Sequence, residues 1–204
     1  MAGRLVGEAP ASAGRKVRGG VYGHGGGAAA CIKPDREDAE RGVRLTTSIW
    51  RIATDTPDYT ADDVTGEGPR RSGGRWNRVG TAIVYASGSI ALACLETLAH
   101  LSAGDLPLNR YLVKIDVPDE VWAAASRLDP QRNVGWDAIP AGRASLDAGE
   151  TWAAGRSSLL LIVPSVIVPE ASNILIILLH ADVAQMQVTK LRRWTYDSRV
   201  RDGA

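Results

Sequence analysis

An α+β fold, with a mixed and largely antiparallel sheet core and flanking helices, is what this 204-residue chain predicts. Three observations carry that expectation. Residues 110–117 alternate, with Tyr111, Val113, Ile115 and Val117 on one face and Arg110, Lys114 and Asp116 mostly on the other. That is the pattern of a half-buried antiparallel strand. Apolar runs at 81–85, 158–163 and 174–179 have the length of strands. The helix-like stretches do not alternate regularly with these runs, which disfavours a doubly wound parallel sheet.

The elements follow in order. Residues 1–44 hold 10 of the 22 glycines and carry a formal charge of +3. Such a segment buries too little apolar surface to offset its ordering entropy, so a disordered tail is expected there, with one ordered domain over 45–204. A short strand is expected at 49–53, then a polar loop at 54–74. The run at 81–85 predicts a strand, and 89–101 a helix with Ser87 or Ser89 as its cap. Leu92, Leu95, Leu98 and Ala99 form its apolar stripe. After the strand at 110–117, residues 122–149 read as a long connection punctuated by Gly and Pro. Interior strands are expected at 158–163 and 174–179, and a last strand opens the segment 188–199.

Composition bounds the function. The net charge is +1, with +3 in the tail and −2 in the remainder, so there is no global case for a nucleic-acid or membrane partner. Two cysteines, Cys31 and Cys94, suit a reducing compartment better than a disulfide framework. No apolar run approaches the ~20 residues of a membrane helix. A soluble, cytoplasmic protein is expected. His24, His100 and His180 have no spacing that suggests zinc, and no metal site is expected. Walker, G-x-G-x-x-G and G-x-S-x-G motifs are absent, which removes the obvious nucleoside-triphosphate and serine-hydrolase readings.

The chemistry-bearing residues gather around Ser72-Gly-Gly-Arg-Trp-Asn77. Two glycines ahead of Arg75 allow a sharp turn that can bring its guanidinium to a phosphate or carboxylate. Tyr85 closes the strand ten residues on. Glu96 sits on or beside the apolar stripe of the helix, where an ionised carboxylate is costly unless paired or serving a site. Together a cation, an aromatic ring and a carboxylate would suit a phosphate-bearing, cationic heterocycle. Each also has a plainer reading: Arg75 as a surface arginine, Tyr85 as a core aromatic, Glu96 as an edge position reaching solvent. Arg51, beside Trp50 in a strand, needs a partner or a wet face. Ser165 lies in Val163-Pro-Ser165, a strand-end turn where a serine commonly bonds its own backbone.

In this order and spacing the residues resemble the RES domain, the toxin half of bacterial RES–Xre toxin–antitoxin modules, over about 45–200. The resemblance rests on Trp50-Arg-Ile52, Ser72-Gly-Gly-Arg-Trp-Asn77, the Tyr85 strand and Ala91-Leu-Ala-Cys-Leu-Glu96. It continues through Trp152, Leu161-Ile-Val-Pro-Ser165, Val168-Pro169, Asn173, His180-Ala-Asp182 and Tyr196-Asp-Ser-Arg199. Glu96 and Ser165 match the glutamate and serine of the family name, and Arg51 and Arg75 both match family arginines. One departure stands out. Ile177-Leu178 replaces the family's Asn-Pro, and two apolar residues in place of a polar turn would extend the strand or change the pocket floor.

The resemblance implies an ADP-ribosyltransferase-like fold and an enzyme that degrades NAD, its substrate rather than a bound cofactor, by breaking the nicotinamide–ribose bond. It implies Glu96, Arg75 and Arg51 as catalytic residues, with Arg51 and Arg75 holding the pyrophosphate. Tyr85 would stack on nicotinamide, and Ser165 would bond the nicotinamide amide or its ribose. Water or phosphate would be the acceptor. Two other outcomes stand beside this one: transfer of ADP-ribose to a macromolecule, and an inactive domain that binds only its antitoxin or a nucleotide. The implied partner is an Xre-type helix-turn-helix antitoxin that supplies DNA binding, so direct nucleic-acid contact is not expected. A homodimer within the toxin–antitoxin complex is one arrangement, the sequence itself giving no oligomeric state.

Overall fold

The computed structural model describes residues 45–101, 109–197 and 199. The tail expected at 1–44 lies outside the described residues. Seven strands form one sheet: β1 (Thr46–Thr54), β2 (Val84–Ser87), β3 (Arg110–Pro118), β4 (Ser126–Arg127), β5 (Leu160–Pro164), β6 (Ser172–Ile176) and β7 (Gln187–Arg193). Their order across the sheet is β4-β5-β6-β2-β1-β3-β7. Every pairing is antiparallel except β4 with β5, so the sheet is mixed and largely antiparallel, as expected. Four α-helices accompany it among the described residues, α1 (Glu67–Ser72), α2 (Ile90–Ala99), α3 (Asp119–Ala123) and α4 (Arg143–Gly155), together with a 3-10 helix at Ala181–Gln185.

The period of two along the strands assigns each side chain to a face. β1 and β3 pair from Thr46↔Pro118 to Thr54↔Arg110, and β1 meets β2 at Trp50↔Ser87. One face is dry: Ile49 and Ala53 of β1 pack with Val113, Ile115 and Val117 of β3, and with Val84, Ile162 and Ile174. Each such Ile or Val contributes ~1.5–3 kcal/mol relative to exposure. The opposite face carries two smaller clusters. Ile52 and Leu112 pack under α2 through Ala93, while Leu161, Val163 and Leu175 pack with Trp76, Trp136 and Trp152.

Local chemistry explains α2. The Ser89 hydroxyl accepts from the Leu92 N–H at 3.1 Å, so Ser89 rather than Ser87 is the cap. The buried side consists of Leu92 and Ala93, with Cys94 and Leu98 packed beside them. Leu95, expected in the stripe, is 40 % exposed.

Other differences from expectation fall in the connections. The polar loop at 54–74 contains α1, and the long connection at 122–149 contains β4 and the start of α4. β6 ends at Ile176, so Ile177-Leu178 does not lengthen the strand. The chain turns there even without the polar pair. Ile177 is buried and its N–H reaches the Leu159 carbonyl, while Leu179 is left 71 % exposed.

Candidate functional site

Three strands and one helix deliver a polar cluster to the face opposite the dry core. Glu96 projects from the flank of α2, three and four residues after the buried Ala93 and Leu92. Its Oε1 accepts from Ser165 Oγ at 2.7 Å and from Asn173 Nδ2 at 2.5 Å. Asn173 Oδ1 in turn accepts from Ser87 Oγ at 2.7 Å. Ser165 is fully buried just beyond β5, and Ser87 is 4 % exposed on β2. Glu96 Oε2 takes no hydrogen bond from the described residues. Ser165 also does what a strand-end serine commonly does, since its oxygen accepts from the Ile167 and Val168 amides at 3.0 and 3.2 Å.

Two residues before Ser87, and on the same face, Tyr85 reaches the turn that bears Arg75. Gly74 and Asn77 bridge to each other, leaving Arg75 and Trp76 at the tip. The Tyr85 hydroxyl donates to Asn77 Oδ1 at 2.6 Å and accepts from the Trp76 N–H at 3.1 Å. Burial pushes this phenol well above its ordinary value, against the pull of the Trp76 N–H, so it stays a donor at neutral pH. Asn77, 1 % exposed, spends its amide on the carbonyls of Pro69, Arg78 and Thr81. A Cβ on Gly74 would stand 2.6 Å from the Tyr85 oxygen and 2.9 Å from Asn77 Oδ1, so any larger residue would have to displace that pair. Gly73, at φ 72°, supplies the left-handed backbone that starts the turn.

The far side of the turn is equally held. Trp76 stacks on Trp136 with centroids 6.3 Å apart, and Arg75 Nη1 donates to the Trp136 and Ala138 carbonyls. Glu150 of α4 accepts from the Arg78 N–H and the Thr81 hydroxyl. α4 approaches so closely at Gly149 that a Cβ there would lie 1.9 Å from the Trp76 carbonyl oxygen.

The structure therefore places Glu96 against Ser165, and joins Tyr85 to the turn of Arg75 on the same sheet face. Arg51 lies on the other face. It neighbours Val113 of β3 and donates to the Asp63 carbonyl at 3.1 Å. Burial pulls its guanidinium below the ordinary value, opposed by the Asp63 carboxylate. Two concavities lie apart from the Glu96 cluster. One, of about 370 Å³, is lined by the acidic loop Asp58–Glu67 and by Arg71; the other, of about 970 Å³, lies between α4 and the 126–134 segment. Among the described residues, no three His, Cys, Asp or Glu side chains are grouped to hold a metal ion. No described helix is long and apolar enough to cross a membrane.

Sequence reasoning missed Ser87, Asn77 and Asn173 as members of the cluster, Asn173 serving only as a landmark. The available signal was weak: Ser87 closes one apolar strand and Asn173 opens another, at positions that alternation turns inward.

The RES domain family model matches residues 48–198. The "Prs ADP-ribosylating toxin" of Sphingobium sp. (strain YBL2) is 57 % identical over 157 residues, which cover 76 % of this chain and 98 % of that protein. A "Toxin Res" of Pseudomonas putida (strain KT2440) is 36 % identical over 154 residues, covering 74 % and 98 %. Another "Toxin Res", from Yersinia enterocolitica, is 37 % identical over 118 residues, covering 58 % and 76 %.

Proposed function

Because the chain belongs to the RES domain family, we propose that it is a toxin that breaks the nicotinamide–ribose bond of NAD and passes ADP-ribose to an acceptor. The observation that carries this reading is the state of Glu96. One carboxylate oxygen is saturated by Ser165 and Asn173, while the other takes nothing from the described residues. Nicotinamide leaves as a neutral molecule from a cationic ring, so the step needs no general acid. It needs support for an oxocarbenium-like ribose. Glu96 Oε2 hydrogen-bonds a ribose hydroxyl and sets negative charge beside that cation.

Arg75, on its clamped turn, pairs with the pyrophosphate through the donors that the two carbonyls leave over. The Tyr85 ring packs on the cationic nicotinamide, while its hydroxyl holds the Arg75 turn. Arg51 is left out of this assignment because it stands on the opposite face. Ser165 acts through Glu96 rather than on nicotinamide.

The relative named for ADP-ribosylation supports a protein acceptor first. A second reading, phosphorolysis or hydrolysis that drains NAD, also has an observation behind it. The groups on Glu96 are a hydroxyl and an amide, neither of them a base. With Glu96 Oε2 engaged by the ribose, no second carboxylate in this hydrogen-bonded cluster is left to activate water, which favours phosphate. A separate antitoxin of the Xre helix-turn-helix type covers the site until it is removed.

The test uses purified, antitoxin-free chain with NAD labelled in the adenylate, with and without phosphate, and with and without Prs as acceptor. Nicotinamide release that falls about 100-fold or more in Glu96→Gln supports the chemistry. Label on Prs, in phosphorylated ADP-ribose or in free ADP-ribose then names the acceptor. No release by folded protein under any condition overturns it.

A further inference from the structure

We propose that Asn173, seated by Ser87, is a positioning residue that aims the Glu96 carboxylate; this rests on the NAD-cleaving reading above. Glu96 stands on a helix with a long side chain that has many rotamers open to it when unrestrained. Something must spend that freedom before the reaction if one oxygen is to meet a ribose hydroxyl reproducibly. Ser165 supplies one donor to Oε1, but a single bond leaves the carboxylate free to swing about it. The second donor, Asn173 Nδ2 on the same oxygen, removes the swing.

The amide could serve this purpose in only one of its two orientations. Flipped, it would turn its own carbonyl oxygen against the carboxylate. Because Glu96 Oε1 accepts, Nδ2 must face it, and Ser87 anchors the far end of the amide by donating to Oδ1. Ser87 and Asn173 face each other across the β2–β6 pair, and Asn173 also pairs with Val163, two residues before Ser165. Backbone ladders thus set the spacing of all three groups. Ser87 and Ser165 are both buried, so water competes little for these bonds. The bracket acts on direction: it binds no substrate and moves no proton.

The experiment measures kcat and KM for nicotinamide release in Asn173→Ala, Asn173→Asp and Ser87→Ala. Asn173→Ala should lower kcat about 10- to 100-fold, with KM changed by less than about threefold. Ser87→Ala should lose less, because the amide is freed to rotate but still present. Asn173→Asp keeps the shape but can donate only when protonated, a state that the neighbouring carboxylate favours. Its activity relative to the native chain should therefore rise as pH falls, a limb that a merely structural role would not create.

Native kcat in folded Asn173→Ala, or an Asn173→Asp pH profile parallel to the native one, overturns the inference. If Asn173→Ala does not fold, the other two variants still decide. A reading independent of activity comes from urea midpoints of Asn173→Ala, Glu96→Ala and the double variant. Asn173→Ala should cost at most half as much once Glu96 is gone, and strict additivity overturns the bracket. If the native chain releases no nicotinamide, the NAD reading fails by itself while this cycle still tests the contact.

Discussion

Tyr85 acts through the oxygen at its tip. From the residues it reads as a core aromatic, and the family resemblance implies a ring for stacking; nothing in the apolar run at 81–85 announces that its hydroxyl locks a turn nine residues upstream. Trp76 N–H and Asn77 Oδ1 both depend on that oxygen. Tyr85→Phe should cost about 1–3 kcal/mol in urea unfolding, the price of two groups left unpaired away from water. Burial raises the folded-state value of Tyr85 above the ordinary 10.0, and Tyr196 shifts the same way. The native state then holds these protons more tightly than the unfolded chain. Stability is full below the ordinary value and falls as pH rises past it. Unfolding followed between about pH 9 and 11 should show this decline, with a shallower slope in Tyr85→Phe. Glu96 and Arg75 were legible as oddities: a carboxylate beside an apolar stripe, and an arginine behind two glycines. The contact of Glu96 with Ser165 was not legible from spacing, because 69 residues separate the partners and only tertiary pairing joins them.

Among the elements, α4 shows why periodicity fails where packing relies on small residues. It buries Ser145, Gly149 and Trp152, at spacings of four and three, and offers no run of large apolar side chains. A search for a hydrophobic stripe passes over it, and the glycines read as loop. The helix is there because its narrow side lets the Trp76 carbonyl approach the backbone at Gly149. Helix propensity alone would make Gly149→Ala favourable by ~1 kcal/mol. The collision outweighs that gain, because a backbone atom rather than a flexible side-chain end stands in the way. Gly149→Ala should therefore destabilise by about 1–3 kcal/mol or more in urea melts and, on the NAD-cleaving function proposed above, should raise KM for NAD as the Arg75 turn is pushed aside. By contrast β3 matched its alternation almost residue for residue, since each of its faces meets a different environment.

At the scale of the molecule, the class of fold was readable but the order of strands was not. Periodicity reports faces, whereas β2 beside β6 and β3 beside β7 are long-range pairings that leave no local trace. Ion pairs add a second long-range tie. Lys190 of β7 grips Asp55 just after β1, lowering the Asp55 value first through that hydrogen bond and then through the Ala61 N–H. Arg70 and Arg71 hold Glu67 down to about 2, and Arg199 lowers Asp197. Carboxylates depressed in the folded state stabilise it above their ordinary values, here 3.8 to 4.5, and that contribution is lost as pH falls toward 2. Thermal melting points should drop over this window. Because these groups lie at the surface, moderate salt should shrink the effect.

The Ser165 oxygen has a consequence for time as well as shape. It caps the amides of Ile167 and Val168, while the Ser165 N–H bonds the Ala171 carbonyl and the Ala171 N–H bonds that of Val168. The short connection from β5 to β6 is thereby closed on itself, although Ile167 is 41 % exposed. In deuterated solvent its amides should exchange as slowly as those of a strand, not as a surface loop. Ser165→Ala should release Ile167 and Val168 to fast exchange together. If they stay protected, the serine is not what keeps the loop shut.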